Sequence, residues 1–294
     1  MDKLLKKCTI CPKQCKIDRT ENCGICGATD KIKVARAALH FWEEPCISGE
    51  KGSGTVFFSY CPLKCVYCQN FEISRGNAGK EITVERLSEI FLELQNKGAH
   101  NINLVTPTHY VTEIIKALRL TKDLKIPVVY NTSGYESVET LKLLKGIVDI
   151  YLVDFKYMDE SLAKKYSKVP DYPEVAKKAI EEMVNQVGEA QFKDDIMQKG
   201  VIVRHLLLPS HLDDSKNILK YLYDTYQNKI FYSLMSQYTP VRKTEFLNLN
   251  RKVTEEEYES LVDFAVDLGI ENGFIQEGEA SSESFIPQFD NEGV

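Results

Sequence analysis

From residue 55 onward the chain alternates between two hydrophobic patterns. Thr55–Tyr60, Asn101–Thr106, Val128–Tyr130, Val148–Phe155, Val201–Leu207 and Ile230–Met235 are short runs rich in β-branched and aromatic residues. Such runs read as strands, and their lack of polar alternation marks them as buried on both faces. Between them, apolar positions recur every three or four residues. Helices are predicted at about 84–96, 111–120, 138–145, 159–167, 173–187, 214–226 and 254–268. In the first of these, Leu87, Ile90, Phe91 and Leu94 share a face and Gly98 follows, a stop signal. Polar residues 188–199 read as a connector, and Gly273–Gln276 as a last strand-like piece. Buried strands alternating with amphipathic helices give an α/β fold with a parallel sheet. The six β–α units suit an incomplete (β/α)6 TIM-like barrel, with a doubly wound sheet as the alternative.

Residues 1–48 do not follow this pattern and are expected to form a small Cys-rich extension, leaving 49–294 as the barrel. Within it, residues 1–30 are too short and polar to bury a core, so metal has to hold them. Val34 to Trp42 is a short apolar run, and Gly49 to Gly54 a glycine-rich connector rather than a phosphate loop, since no Gly-Lys-Ser/Thr follows.

Composition narrows the function classes. The chain has 294 residues, 43% of them hydrophobic, and a net charge of −6 with Lys and Arg interspersed among acids. Generic nucleic-acid binding is not expected. The N-terminus lacks the apolar core of a signal peptide, and no apolar run is long enough to cross a bilayer. A cytoplasmic protein that engages neither nucleic acid nor membrane is expected. All nine cysteines fall at or before position 68. In a reducing compartment that distribution argues for metal rather than disulfides.

The sharpest signal is Cys61-Pro62-Leu63-Lys64-Cys65-Val66-Tyr67-Cys68, directly after the first predicted strand. Pro62 ends the strand, so the three thiols share one irregular loop. Thiolates suit iron–sulfur clusters, zinc or Cu(I). A cubane cluster usually takes four cysteines, so three leave one metal position open, as a catalytic centre requires. A zinc knuckle, or an electron-transfer cluster with a fourth ligand from elsewhere, is the competing reading. Polar residues also collect where the other strands end: Thr106-Pro107-Thr108-His109, Asn131-Thr132-Ser133-Gly134, Asp154-Phe155-Lys156, Arg204-His205, and Ser236-Gln237-Tyr238. In parallel α/β folds these C-terminal ends build the active site.

The octet resembles the signature of the radical S-adenosylmethionine (SAM) superfamily. The strand ends extend the resemblance to the activating enzymes of glycyl-radical proteins, such as the pyruvate formate-lyase activating enzymes. Asn131-Thr132-Ser133-Gly134 is similar to their Asp-Thr-Asn-Gly, Val153-Asp154-Phe155-Lys156 to Leu-Asp-Leu-Lys, and Arg204-His205-Leu206-Leu207-Leu208-Pro209 to Arg-His-Val-Val-Val-Pro. An uncharacterised branch pairs a Cys-rich N-terminus with Trp-Glu-Glu-Pro-x-Ile-Ser-Gly, here Trp42 to Gly49. The resemblance implies a radical SAM barrel. It implies that Cys61, Cys65 and Cys68 hold a [4Fe–4S] cluster whose open iron chelates SAM. It further implies reductive cleavage of SAM to a 5′-deoxyadenosyl radical, which takes hydrogen from a protein glycine or a small molecule. Thr106, Asn131, Thr132, Asp154 and Arg204 are then candidate SAM contacts, and Tyr67 a candidate partner for the adenine. A flavodoxin- or ferredoxin-type electron donor and a glycyl-radical protein are the implied partners. Two departures stand out: many relatives end the second strand in Gly-Gly-Glu where this chain has Thr106-Pro107-Thr108, and Asn131 replaces an Asp. A non-catalytic iron–sulfur or zinc protein is the alternative of a different class.

The remaining candidates are weaker. His40 and His100 read as structural, whereas His109 and His211 follow strands and can reach a substrate. Cys46 is a possible fourth cluster ligand, against which the resemblance argues, since relatives carry Pro there. Glu277 reads as a solvated acid near the barrel mouth. In the N-terminal segment the spacing is C-x2-C-x3-C-x7-C-x2-C. Spacing alone permits a zinc-ribbon set of Cys8, Cys11, Cys23 and Cys26. The resemblance favours Cys8, Cys11, Cys15 and Cys26, with Cys23 dispensable; the segment is too small to shield a cubane well, so zinc is preferred to a second cluster, and reduced free thiols on a disordered tail are the alternative.

Overall fold

The computed structural model describes residues 2–275 and 287–294. Its centre is a ten-stranded sheet. The strands are β1 (Ile32–His40), β2 (Ser53–Phe58), β3 (Lys80–Ile82), β4 (Ile102–Val105), β5 (Val128–Thr132), β6 (Ile150–Asp154), β7 (Gln191–Lys193), β8 (Ile196–Leu206), β9 (Phe231–Met235) and β10 (Gly273–Ile275). Spatial order is β3-β1-β2-β4-β5-β6-β8-β9-β10, with β7 paired to β8 alone. Strands β2, β4, β5, β6, β8, β9 and β10 run parallel. The sheet curls into an incomplete barrel with helices outside, as the alternation predicts. Every residue of β2, β4 and β5 is buried, which is why those segments are mostly apolar.

The helices follow their patterns closely. Val84–Asn96 buries Leu87, Ile90, Phe91 and Leu94, and its Thr83 cap accepts a hydrogen bond from Arg86 N. Glu255–Leu268 opens with a capping box between Thr254 and Glu257. Both signatures satisfy backbone donors that helix geometry leaves free.

Two segments differ from expectation. The run read as Val34–Trp42 is β1, antiparallel to β2 and bulged between Val34 and Arg36. Its alanines have weak strand propensity, and Lys33 and Arg36 interrupt the apolar run. The sheet therefore continues into the segment before residue 49. The polar connector 188–199 contains the β7–β8 hairpin, turned by Asp194 and Asp195 with φ of 50° and 61°. Asp-Asp is a weak signal for a tight turn that more often shows Asn-Gly, and the exposed residues of β7 carry no hydrophobic pattern. The last strand ends at Ile275; Gln276 and Glu277 lie outside the described residues.

The barrel is plugged from the end where its parallel strands begin. The helical turn Pro45–Ser48 places Cys46 and Ile47 against Val129, Ile150, Leu152, Met197 and Ile202. Asn101, just before β4, ties it down: Asn101 Nδ2 donates to Ile47 O at 2.7 Å and Ser53 Oγ donates to Asn101 Oδ1 at 2.6 Å. Cys46 thus belongs to the barrel floor. Replacing Ile47 with Ala should cost about 2–5 kcal/mol in urea unfolding, the range for a buried aliphatic truncation. A loss below about 1 kcal/mol would contradict a packed plug.

His205 joins β8 to the helix Leu212–Tyr226. Its Nδ1 lies 2.7 Å from Phe155 O and its Nε2 2.8 Å from Ser215 Oγ. Burial pulls its pKa from 6.5 to about 4. Between those values the unfolded chain binds a proton that the folded chain refuses, so stability is full above pH 6.5 and falls as pH drops toward 4. The contribution is on the order of 3 kcal/mol. The neutral variant His205→Gln should therefore lose less stability between pH 7 and 5 than the parent does. Equal losses would show that His205 does not titrate in this window.

Candidate functional site

The polar strand ends and the three-cysteine loop meet at one cavity of about 260 Å3 at the opposite end of the lumen from the plug floor. Cys61, Cys65 and Cys68 line it, as do Tyr67, Thr106, Asn131, Thr132, Asp154 and Arg204. All the residues expected to handle a cluster or SAM are therefore brought together. The loop owes its shape to local backbone turns: Tyr60 and Lys64 have φ of 76° and 54°, and Cys65 Sγ accepts a hydrogen bond from Ser167 Oγ at 2.9 Å. Burial, together with the neighbouring Cys65 and Cys68, pushes the Cys61 thiol up to about 12. Such thiols ionise only when a cation compensates them.

Below the thiols lies a chain of alternating charges. Lys156 Nζ pairs with Asp154 Oδ2 at 2.6 Å. Asp154 Oδ1 accepts from Arg204 Nε at 2.9 Å, and Arg204 Nη1 reaches Glu43 Oε2 at 3.1 Å. Arg204 Nη2 also donates to Asn131 Oδ1 at 2.6 Å. Glu43 Oε1 accepts from Asn103 Nδ2 at 3.0 Å and Asn131 Nδ2 at 3.3 Å. The four charged side chains are between 9% and 17% exposed. Burial alone would raise the Asp154 carboxyl, but Lys156 and Arg204 hold it below the usual carboxylate range. Burial would likewise depress Lys156, and Asp154 keeps it above its ordinary value. Burial raises Glu43, with Arg204 opposing.

Glu43 was not singled out by sequence reasoning. It sits in the Trp-Glu-Glu-Pro stretch just ahead of the plug, and its arrival at the lumen centre depends on β1 doubling back along β2. Arg204 and Asp154 line the cavity but face each other, so both serve as a protein scaffold as well as a lining. Tyr67 is packed edge-on against Tyr157, Tyr166 and Tyr238, and Tyr157 OH donates to its hydroxyl at 2.7 Å. Thr106 adopts φ 58°, a left-handed conformation that suits glycine, at the position where many relatives carry Gly-Gly-Glu. Thr132 donates to the buried carboxylate of Glu136, and Thr108 Oγ1 donates to the same oxygen at 2.5 Å. Gly134 is dictated by space: its φ is 79° and a Cβ would collide with Asp154 O.

The histidines divide differently from expectation. His109 is buried away from this cavity, with Nε2 2.8 Å from Ser59 O. His211 packs on Tyr166, with Nε2 2.8 Å from Tyr166 OH. Neither lines the cavity. In the N-terminal segment Cys8, Cys11, Cys15 and Cys26 converge on a second, small cavity, and Cys23 is exposed outside it. Among the described residues no three Cys, His, Asp or Glu side chains stand in a closed coordination shell; both thiol sets line spaces. No described helix is long and apolar enough to cross a membrane.

The three-thiol loop fits a [4Fe–4S] cluster. Its donors are soft and they open on a cavity that Lys156 also lines; burial raises the Cys68 thiol, and the Lys156 charge is among the influences opposing it. Comparisons with known proteins agree with this chemistry. The chain is 32% identical over 273 residues to an uncharacterized protein of Methanocaldococcus jannaschii, covering 89% of this chain and 75% of that one. It is 26% identical to the pyruvate formate-lyase-activating enzyme of Clostridium pasteurianum, over 68% of this chain and 82% of that one. Among solved structures, methylornithine synthase matches with a TM-score of 0.54 at 14% identity, covering 88% of this chain and 72% of that one. Streptococcus suis SuiB bound to S-adenosylmethionine matches with a TM-score of 0.50 at 16% identity, over 75% of this chain. The match spans 49% of the SuiB chain, about half its length. The radical SAM superfamily model matches residues 55–222, more than half of the chain and the whole stretch from the three-cysteine loop to the arginine of β8, and the chain belongs to that superfamily.

Proposed function

We propose that this protein is an activase of the glycyl-radical type, a radical SAM enzyme that removes hydrogen from a glycine of a partner protein. The carrying observation is the single cavity onto which Cys61, Cys65 and Cys68 open together with Asn131, Asp154 and Arg204. The likeness to the Clostridium pasteurianum activating enzyme supports the choice of substrate class. So does the cavity rim, where Trp42 is 61% exposed. A large apolar side chain on a rim suits a macromolecular partner better than a small polar substrate.

When bound, the cluster and SAM supply reductive cleavage of the sulfonium C–S bond and the carbon radical that follows. The residues of the chain hold and orient. Cys61, Cys65 and Cys68 would hold the cluster with one thiolate fewer than a cubane usually takes, which would leave it open to SAM. Lys156 offsets thiolate charge from below. Asn131, Thr132 and Asp154 present polar atoms at the cavity floor, with Arg204 fixing Asn131 and Asp154. Tyr67 and its aromatic neighbours form an apolar wall that excludes water beside the loop. The electron comes from a flavodoxin- or ferredoxin-type donor, which a reducing cytoplasm provides.

Protein reconstituted anaerobically with iron and sulfide, then reduced with dithionite, should form 5′-deoxyadenosine from SAM. The Cys65→Ala variant should form none. Normal product formation by Cys65→Ala would remove the assignment. Asp154→Ala should keep the cluster yet bind SAM about ten- to hundred-fold more weakly, since a lost charged hydrogen bond is worth about 1.5–3 kcal/mol. Calorimetry with SAM measures this, and unchanged affinity would exclude Asp154 from the cofactor site. The substrate class is tested by adding a candidate glycyl-radical protein and looking for a glycyl signal by electron paramagnetic resonance.

A further inference from the structure

The cavity between the N-terminal segment and the barrel is not used by the radical chemistry. It measures about 10 Å3 and is lined by Cys8, Cys11, Cys15, Cys26, Arg19 and His109. That is the room of about one small sphere, enough for an ion and too little for a cubane.

Two features beside the thiols lack partners of the right kind. Arg19 is 1% exposed, and its donors go to backbone carbonyls: Nε to Ala28 O at 3.2 Å, Nη1 to His109 O at 2.6 Å, and Nη2 to Thr29 O. No ion pair holds it among the described residues; Glu113, whose charge it feels, is bonded by Thr112 Oγ1 at 2.7 and 2.8 Å. A buried guanidinium without a counter-anion is costly. His109 is the second feature. Its Nε2 faces a carbonyl, Ser59 O, which can only accept, so Nε2 carries the proton. Nδ1 is then a bare lone pair, and it is buried with no hydrogen-bond partner. A metal–thiolate centre balances Arg19 through its net negative charge, and the cavity it occupies is one that His109 also lines.

We propose that Cys8, Cys11, Cys15 and Cys26 bind one zinc ion in this cavity, next to Arg19 and His109. Four thiolates match the tetrahedral preference of structural zinc. The ion replaces the core that residues 1–30 cannot build for themselves. It also fastens them to the barrel at a sensitive place. His109 leads from β4, and Ser59 directly precedes Tyr60 and the three-cysteine loop. Lys64, inside that loop, donates to Ile25 O at 3.0 Å, and Gly27 packs on the Tyr60 ring with no room for a Cβ.

The test uses the full chain with Cys61, Cys65 and Cys68 changed to Ser, so that cluster iron does not contribute. Elemental analysis should find about one equivalent of zinc, and cobalt substitution should give a tetrahedral thiolate spectrum. Adding Cys23→Ser should leave the zinc in place, whereas adding Cys15→Ser should weaken it at least about tenfold against a chromophoric chelator. Alkylation of the unmodified protein keeps the proposal testable if a variant fails to fold. Iodoacetamide should label Cys23 first among the five N-terminal thiols, and a chelator should expose the other four. Absence of zinc, iron in its place, loss of zinc with Cys23→Ser but not with Cys15→Ser, or equal alkylation of all five thiols would each overturn it.

Discussion

The lumen of this barrel is organised by the Arg204 guanidinium. A cation at 14% exposure in an apolar lumen has to be paired. Its partners come from places far apart in the chain: Asp154 at the end of β6, Asn131 on β5, and Glu43 ahead of the floor plug. Pairing to Glu43 sets how the plug region enters, and pairing to Asp154 orients the carboxylate that meets Lys156. Lys156 in turn lines the cavity onto which the cysteine loop opens. Positive and negative groups thus alternate from the floor of the lumen to its mouth. Each of these four charges has a neighbour of opposite sign, and a shift in one member leaves another buried with a partner lost.

How much of this was legible in sequence depended on the range of the interaction. Helices announced themselves through short-range signals, such as Thr83 before Val84–Asn96 and Thr254 with Glu257 before Glu255–Leu268. The central strands were readable because burial on both faces demands unbroken apolar runs. Cys61, Cys65, Cys68, Asn131, Asp154 and Arg204 line one cavity, since they lie at or after the ends of strands whose C-termini must converge. Glu43 was silent because nothing local distinguishes a lumen carboxylate from a solvated one. Its role comes from the fold-back of β1 along β2, an antiparallel addition that the β–α rhythm does not encode.

The histidines make the same point. His109 follows β4 and read as able to reach a substrate, yet one more turn of chain carries it behind the strand end. There it bridges the thiol-lined cavity of the N-terminal segment and the backbone entering the cysteine loop. Its neighbour in sequence, Thr108, points instead to the buried Glu136. The direction a loop side chain takes is set by packing several elements away, so position after a strand locates the neighbourhood and not the face. Two sets of thiols, both before residue 69, consequently sit on either side of one strand–loop junction.

The central claim is that Arg204 and Glu43 form a coupled buried pair that ties the plug to the cavity floor. A double-mutant cycle measures it directly, with Arg204→Met, Glu43→Gln and the double variant unfolded in urea and followed by circular dichroism. Removing Arg204 from the parent leaves Glu43 buried without its cationic partner and Asp154 with Lys156 alone, and should cost about 3–5 kcal/mol. In the Glu43→Gln background the same change should cost less by at least about 1 kcal/mol, the coupling expected of groups in contact. Additivity within about 0.5 kcal/mol would contradict the account, because it would mean that the two groups do not act on each other in the folded chain.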